Sequence, residues 1–230
     1  MPDTFPALRC STEQWRLQNA ARSGGQTLSG VQQFVGSPSA QWRAKMAFHL
    51  VEDDDYLAAR GFIAGLSGQT VPFLIGPTDW RGQPWNIDPL IGSPITPGIA
   101  AASAAANPGY ASNPDTTGFI DFELAFDAAM NSTRVTIKRN KGGLLRAGQY
   151  FQIGDRLHII TSLNAADTGQ ENASVDLNIR PWLRGDYASG YKLNFANPRC
   201  LMRLADGDQG AIDMNSGPLS SLSLDIIEAF

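Results

Sequence analysis

The sequence predicts a mainly β protein, an antiparallel sandwich or barrel with one flanking helix. Three observations carry that expectation. Apolar and polar residues alternate over many short segments, the period of a half-buried strand. A single acidic-led segment, 52–66, follows a helical period instead. Gly-rich turn chemistry recurs between the segments, and roughly a dozen short strands spaced in this way belong to sandwiches and barrels.

The clearest alternation is Gln41–Leu50, where Trp42, Ala44, Met46, Phe48 and Leu50 face one way and Gln41, Arg43, Lys45 and His49 the other. Before it, 12–17 and 27–35 predict shorter strands joined through Ser23-Gly24-Gly25 and Gly36-Ser37-Pro38, so the opening is expected to be a three-stranded meander. Glu52 and Asp53 to Asp55 then lead the helix, with Leu57, Ala58, Gly61, Phe62, Gly65 and Leu66 on one face. Carboxylates at a helix start suit its free N–H groups and its dipole. Gly61 and Gly65 are expected to let the helix backbone approach the sheet closely. After Ser67-Gly68 a strand resumes at 71–75.

From 76 to 118 no period survives. The stretch holds many of the prolines, an Ala-rich tract at 100–106, and Trp80 and Trp85. A loop this long inside a domain is usually functional or ordered by a partner. Trp80, Trp85, Leu90 and Ile91 are therefore candidate anchors onto a neighbouring subunit. Packing of both tryptophans onto their own domain is the alternative.

Strands return at 119–126, where Ile120, Phe122, Leu124 and Phe126 share a face, and at 134–139, 149–153, 156–161, 173–180, 191–195, 200–204 and 221–228. Leu222, Leu224 and Ile226 define the inner face of the last of these. Five basic residues between 134 and 146 include Arg134, Lys138, Arg139 and Lys141, across an expected hairpin ending in Asn140-Lys141-Gly142-Gly143. They read as a solvated hairpin tip or as a contact for an acidic neighbour.

Composition narrows the function classes. The chain has 230 residues, 17% charged, with a net charge of -4. It can bury a core without disulfide or metal staples, and it lacks the basic footprint of a nucleic-acid binder. Cys10 and Cys200 form neither a disulfide framework nor a zinc site and are expected as buried thiols. No basic stretch with an apolar core opens the sequence, and no run of about 18 apolar residues occurs. Synthesis and assembly in a cytoplasm, with no membrane anchor, are expected.

His49 and His158 have no second ligand at metal spacing and are expected as surface or half-buried strand residues. Acyl-transfer, phosphoryl-transfer and dinucleotide motifs are absent. No catalytic residue, metal or cofactor is assigned. Two carboxylates facing each other would suffice for glycoside hydrolysis, so that class stays open.

Taken in order, several segments resemble the minor tail or distal-tail proteins of siphophages and related prophages. They are Gln32 or Gln33, then Gln41-Trp42-Arg43-Ala44, the helix from Asp53 to Ala64, Leu66-Ser67-Gly68 and Pro72-Phe73-Leu74-Ile75-Gly76. The second half adds Leu145-Arg146-Ala147-Gly148-Gln149-Tyr150-Phe151, Arg156-Leu157-His158-Ile159-Ile160, Ile179-Arg180-Pro181-Trp182-Leu183-Arg184, Pro198 and Met202-Arg203-Leu204.

The resemblance implies a split barrel related to tail-tube proteins, with a β-rich core of 1–76 plus 119–230 and a small barrel elaboration about 144–184; the Pro/Gly/Ala-rich arm at 77–118 is read from composition and lies outside the resemblance. It implies a structural subunit of the virion tail tip, assembled in the bacterial host's cytoplasm as a ring, commonly hexameric. The implied partners are copies of itself, the tail tube protein, the tape measure and the hub or tail-tip proteins, without sequence-specific nucleic acid. Two other readings stand beside it: a carbohydrate-binding β-sandwich using Trp80, Trp85 or Trp182, and a tail-associated cell-wall hydrolase.

Overall fold

The computed structural model describes residues 3–18, 21–26, 30, 32–36, 40–78, 120–167, 172–214 and 220–230. Its elements run β1 (Asp3–Thr4), β2 (Arg9–Gln18), β3 (Ala21–Gln26), β4 (Gln32–Gly36), β5 (Gln41–Leu50), α1 (Asp53–Gly65), β6 (Phe73–Ile75) and β7 (Asp121–Leu124). They continue with β8 (Arg134–Lys141), β9 (Tyr150–Ile153), β10 (Arg156–Leu163), β11 (Ser174–Arg180), β12 (Lys192–Leu193), β13 (Cys200–Leu204), β14 (Ile212–Met214) and β15 (Ser220–Glu228). The fold is mainly β, with antiparallel sheets and one helix.

The chain forms two compact units. One comprises Met1–Gln18, Gln41–Thr78 and Arg199–Phe230, the other Asn19–Ala40 and Asp79–Pro198.

The first unit is a sheet in the order β1-β6-β13-β15-β5-β2, with β14 also paired to β15. Its axis is β5, bonded to β15 from Leu50 opposite Ser220 to Arg43 opposite Ile227, and to β2 along the other side. The alternation read from the sequence is the one observed: Trp42, Ala44, Met46, Phe48 and Leu50 are buried, as are Leu222, Leu224 and Ile226 of β15. On the other face of this pair Arg43 grips Asp225 through two hydrogen bonds of 3.1 and 3.0 Å.

The helix covers the sheet through an aromatic cluster. Phe62 meets Phe5 and Phe73 edge-on at 5.2 and 5.3 Å, and Phe5 lies 4.8 Å from Phe48. The face it presents differs from the expected one. Ala59 and Leu66 are buried and Tyr56, Phe62 and Ile63 half-buried, while Leu57, Ala58, Gly61 and Gly65 are exposed. Seating the bulky Phe62 and Ile63 decides the rotation, because they bring far more apolar area than Ala58 or glycine. Gly61 and Gly65 thus mark no close approach, and a Cβ on either would meet nothing within 4 Å. Asp53, Asp54 and Asp55 occupy the first turn, where they favour the dipole, but Glu52 at the N-cap makes no side-chain capping bond. Ser67 and Gly68, at φ 48° and 71°, reverse the chain after the helix.

The second unit contains a six-stranded antiparallel sheet in the order β12-β7-β8-β11-β10-β9. Its two edges meet. Gln152 of β9 and Asn194 just after β12 exchange backbone bonds of 2.9 and 3.0 Å, so the sheet nearly closes into a barrel. Inside it pack Ile120, Phe122, Leu124, Val135, Ile137, Phe151, Ile153, Leu177, Ile179, Leu193 and Phe195. The strands of this sheet and the bridge that joins its edges run from Asp121 to Asn194.

Three local expectations are corrected. The opening is no three-stranded meander: β2 pairs directly with β5, and among the described residues β3 and β4 pair only with each other. Ser23-Gly24-Gly25 is part of β3, where the register shifts between Ser23 and Gln26, so the glycines mark an irregularity in a strand and not its end. Residues 140–143 are no hairpin tip. β8 runs on to Lys141, pairs with β7 and β11, and the chain then crosses to β9 at the far edge of the sheet.

Glycines test this packing with opposite signs. Gly210 has φ +96°, and a Cβ there would lie 2.5 Å from Cγ2 of Ile63, so Gly210→Ala should lower the unfolding free energy by about 1–3 kcal/mol. Gly61→Ala and Gly65→Ala, at open helical positions, should each raise it by up to about 1 kcal/mol in urea unfolding.

Candidate functional site

The barrel interior holds a buried ion pair. Arg139 points inward from β8, fully buried, and its Nη2 donates to Asp167, which is itself almost wholly covered. The guanidinium also donates from Nε to the Gly143 carbonyl at 3.1 Å and lies 5.6 Å above the Phe122 ring. The same Asp167 oxygen accepts the Leu145 backbone N–H at 2.7 Å. One carboxylate thereby holds β8, the 142–149 connection and the stretch after β10 together. A buried charge is tolerable only with such a full set of partners.

His158 is the second buried polar group. The sequence placed it on the surface or half-buried, but it faces Phe151 across the β9–β10 ladder, stacks on that ring at 5.5 Å, and has no exposed area. Its Nδ1 lies 3.0 Å from the Pro181 carbonyl, which requires the proton on Nδ1, while Nε2 is buried with no partner among the described residues. Burial, aided by nearby Arg184 and Arg156, lowers its pKa to about 4. His49, by contrast, is exposed on β5.

The outer face of the barrel is a mesh of ion pairs. Lys192 reaches Asp121 at 2.7 Å and Glu123 at 3.1 Å, Lys138 reaches Glu123 at 3.0 Å, and Asn140 donates to Asp121. The bonds from Lys138 and Lys192 hold the Glu123 carboxyl down at about 2. Farther along, Arg134 donates from Nε to both oxygens of Asp176 at 2.9 Å, and Asn178 links Ser162 and Asn164.

At one rim, 124–132 runs against 183–191 as an irregular ribbon. Bonds join Leu124 to Tyr191, Ala128 to Tyr187 in both directions, and Asn131 to Leu183. Met130 N–H donates to Asp186, and Ser189 N–H to Asp127, each at 2.7 Å. On this rim Phe126 is 68% exposed, with Met130 and Tyr191 also open to solvent. Phe126 was expected to face inward with Leu124. Regular strand ends at Leu124, and the following bend turns the ring outward. It borders a groove of about 310 Å³ lined also by Asp127, Ala128, Ser132, Arg134, Val135, Thr136 and Asp176.

In the first unit the notable surface is an edge. β2 is ten residues long, terminal in its sheet and bonded on one side only among the described residues, with no residue of it buried. Cys10, half-buried there, has its thiol pushed up by burial, whereas Cys200 is buried as expected.

Of the candidate interface residues, Trp80, Trp85, Leu90 and Ile91 lie outside the described residues, as does nearly all of the 77–118 arm. Arg134, Lys138 and Lys141 face outward, the first two paired to acids of their own sheet; Arg139 faces the core, so it is no surface contact. Trp182 is half-buried beside the Arg184 guanidinium at 5.8 Å. Among the described residues no group of three His, Cys, Asp or Glu side chains is arranged to hold a metal ion. No helix is long and apolar enough to cross a membrane. No protein-family model and no curated protein matches the chain.

Two titrations follow from these groups. Unfolded His158 takes up its proton near pH 6.5 and the folded residue only near 4, so stability falls as the pH drops from 6.5 to 4, by about 3 kcal/mol from this residue. Glu123 acts lower: its contribution is present above 4.5 and lost as the pH falls toward 2. Unfolding curves of His158→Gln should lack the upper step and keep the lower.

Breaking the buried pair should be severe. Arg139→Met or Asp167→Asn alone should cost about 3–5 kcal/mol. The double variant should cost about 2 kcal/mol less than the sum, as read by a double-mutant cycle in urea.

Proposed function

We propose that this chain is a structural subunit of a long-tailed bacteriophage tail tip, a distal-tail type protein that forms a closed ring, hexameric in the arrangement the resemblance implies. Its neighbours in that arrangement are the tail tube protein, the tape measure and the hub proteins.

The observation that supports this reading is the position of β2 at the edge of its sheet, with no outer neighbour strand among the described residues. A ten-residue edge strand presents a row of backbone donors and acceptors, and native proteins usually blunt such an edge with Pro, a covering loop or a very short strand. Left open, it is a template for a strand from another subunit. In a ring each copy offers two different complementary surfaces, and rotation closes the set. An edge of this kind supplies one of them, and the ordered resemblance of the sequence to tail proteins supplies the setting.

Proline substitution tests it, taken one residue at a time over Thr12, Glu13, Gln14 and Trp15. Positions whose N–H points to β5 should lose a ladder bond and destabilise the fold. The alternate positions should keep their thermal unfolding midpoint yet abolish the ring in mass photometry. A wild-type chain that stays monomeric at micromolar concentration and is absent from purified particles would sink the reading.

A further inference from the structure

We propose that the groove beside Phe126 is a saccharide-binding site that seats one neutral pyranose ring of a larger glycan. This goes beyond a role in assembly and rests on different residues from the β2 edge.

Shape is the first argument. At about 310 Å³ the groove stands at the small end of ligand sites, enough for a sugar ring and too short for an extended peptide. Its one aromatic ring is also the second. An exposed phenylalanine is normally withdrawn from water, yet Phe126 is 68% exposed between two residues whose groups are hydrogen-bonded in place. Ala125 N–H donates to Thr136 O at 2.9 Å, Ser189 Oγ donates to Ala125 O at 3.0 Å, and the Asp127 carboxylate accepts from Ser189 N–H. The ring thus offers an exposed apolar plate with a negative π face, the complement of the C–H face of a pyranose.

Polar groups surround that plate on the same outer surface. Asp176 and Arg134 form a pair in which Arg134 uses Nε and Nη2 on the carboxylate, and among the described residues Nη1 is open. Vicinal sugar hydroxyls both donate and accept, so a carboxylate that accepts and a guanidinium that donates read them together. The hydroxyls of Ser132 and Thr136, also in the lining, add adaptable partners. Charge selects the class of sugar. The lining holds two carboxylates, Asp127 and Asp176, against one guanidinium, so acidic sugars and phosphates are disfavoured.

Saturation-transfer NMR on the full chain tests this, with glucose, galactose, mannose and N-acetylglucosamine as probes at about 10 mM, and sialic acid as the anionic probe, since a single ring should bind in the millimolar range. At least one neutral sugar should receive saturation on its ring C–H protons, more strongly than sialic acid. Phe126→Ala and Asp176→Asn should each weaken that binding at least about tenfold. Met130→Ala, on the same rim but outside the groove lining, should not. Thermal unfolding separates loss of the site from loss of the fold, and Thr136→Ala provides a second lining variant if Asp176→Asn unfolds. The proposal is overturned if no neutral sugar binds, if sialic acid binds best, or if Phe126→Ala binds as the wild type does.

Discussion

Closure of the second sheet onto itself is the constraint on which the rest of the barrel depends. The two bonds between Gln152 and Asn194 join the two edges at one point, so the sheet nearly closes and its strands gain an inside and an outside. Inside, the residues must fill a space of fixed width, which is why Phe122, Phe151 and Phe195 stack in contact at 4.8 and 5.3 Å. Outside, each alternate position is released for polar work, and the ladder of Lys192, Asp121, Glu123 and Lys138 follows. The groove beside Phe126 is part of the same outcome, since the rim ribbon is fastened to strands that cannot separate without opening the barrel.

Arg139 and His158, two of the polar residues buried in this unit, solve the problem of burial differently. Arg139 brings an acid in with it, so that the 142–149 connection is fastened through Gly143 and Leu145 as well as by the Gly148 and Gln149 bonds to Ile160. His158 gives up its charge, keeps one hydrogen bond to the Pro181 carbonyl, and behaves as a flat ring against Phe151. An ion pair of this kind adds specificity more surely than stability. It favours one arrangement of the connection, because the Asp167 oxygen that takes the guanidinium also takes the Leu145 N–H.

Period-two alternation made most strands legible from the sequence, and β5 and β15 are read correctly residue by residue. What alternation leaves undetermined is pairing: nothing in 12–17 or 27–35 says that β2 takes β5 as its neighbour. It also stops short of the site. Phe126 continues the pattern of Phe122 and Leu124, and only the Asp-Ala-Ala-Met-Asn-Ser run that follows hints that the strand has ended. Arg139 lies in a basic cluster and reads as surface, because the acid that draws it inward is 28 residues away. The helix was legible in extent but not in rotation, since small residues at 58, 61 and 65 mimic a packing face that the bulkier 62 and 63 override.

The pairing of β5 with β15 sets an order on events during synthesis. Trp42 and Glu228, joined at 3.0 Å, are separated by 186 residues of chain. Until β15 leaves the ribosome, the buried face of β5 has β2 on one side and no neighbour on the other. The barrel strands, all encoded between them, are complete earlier and can close while the first sheet still waits. A nascent chain stalled before residue 220 would therefore carry a finished barrel beside an unfinished sheet, with the long apolar strand that most needs cover still open at one edge.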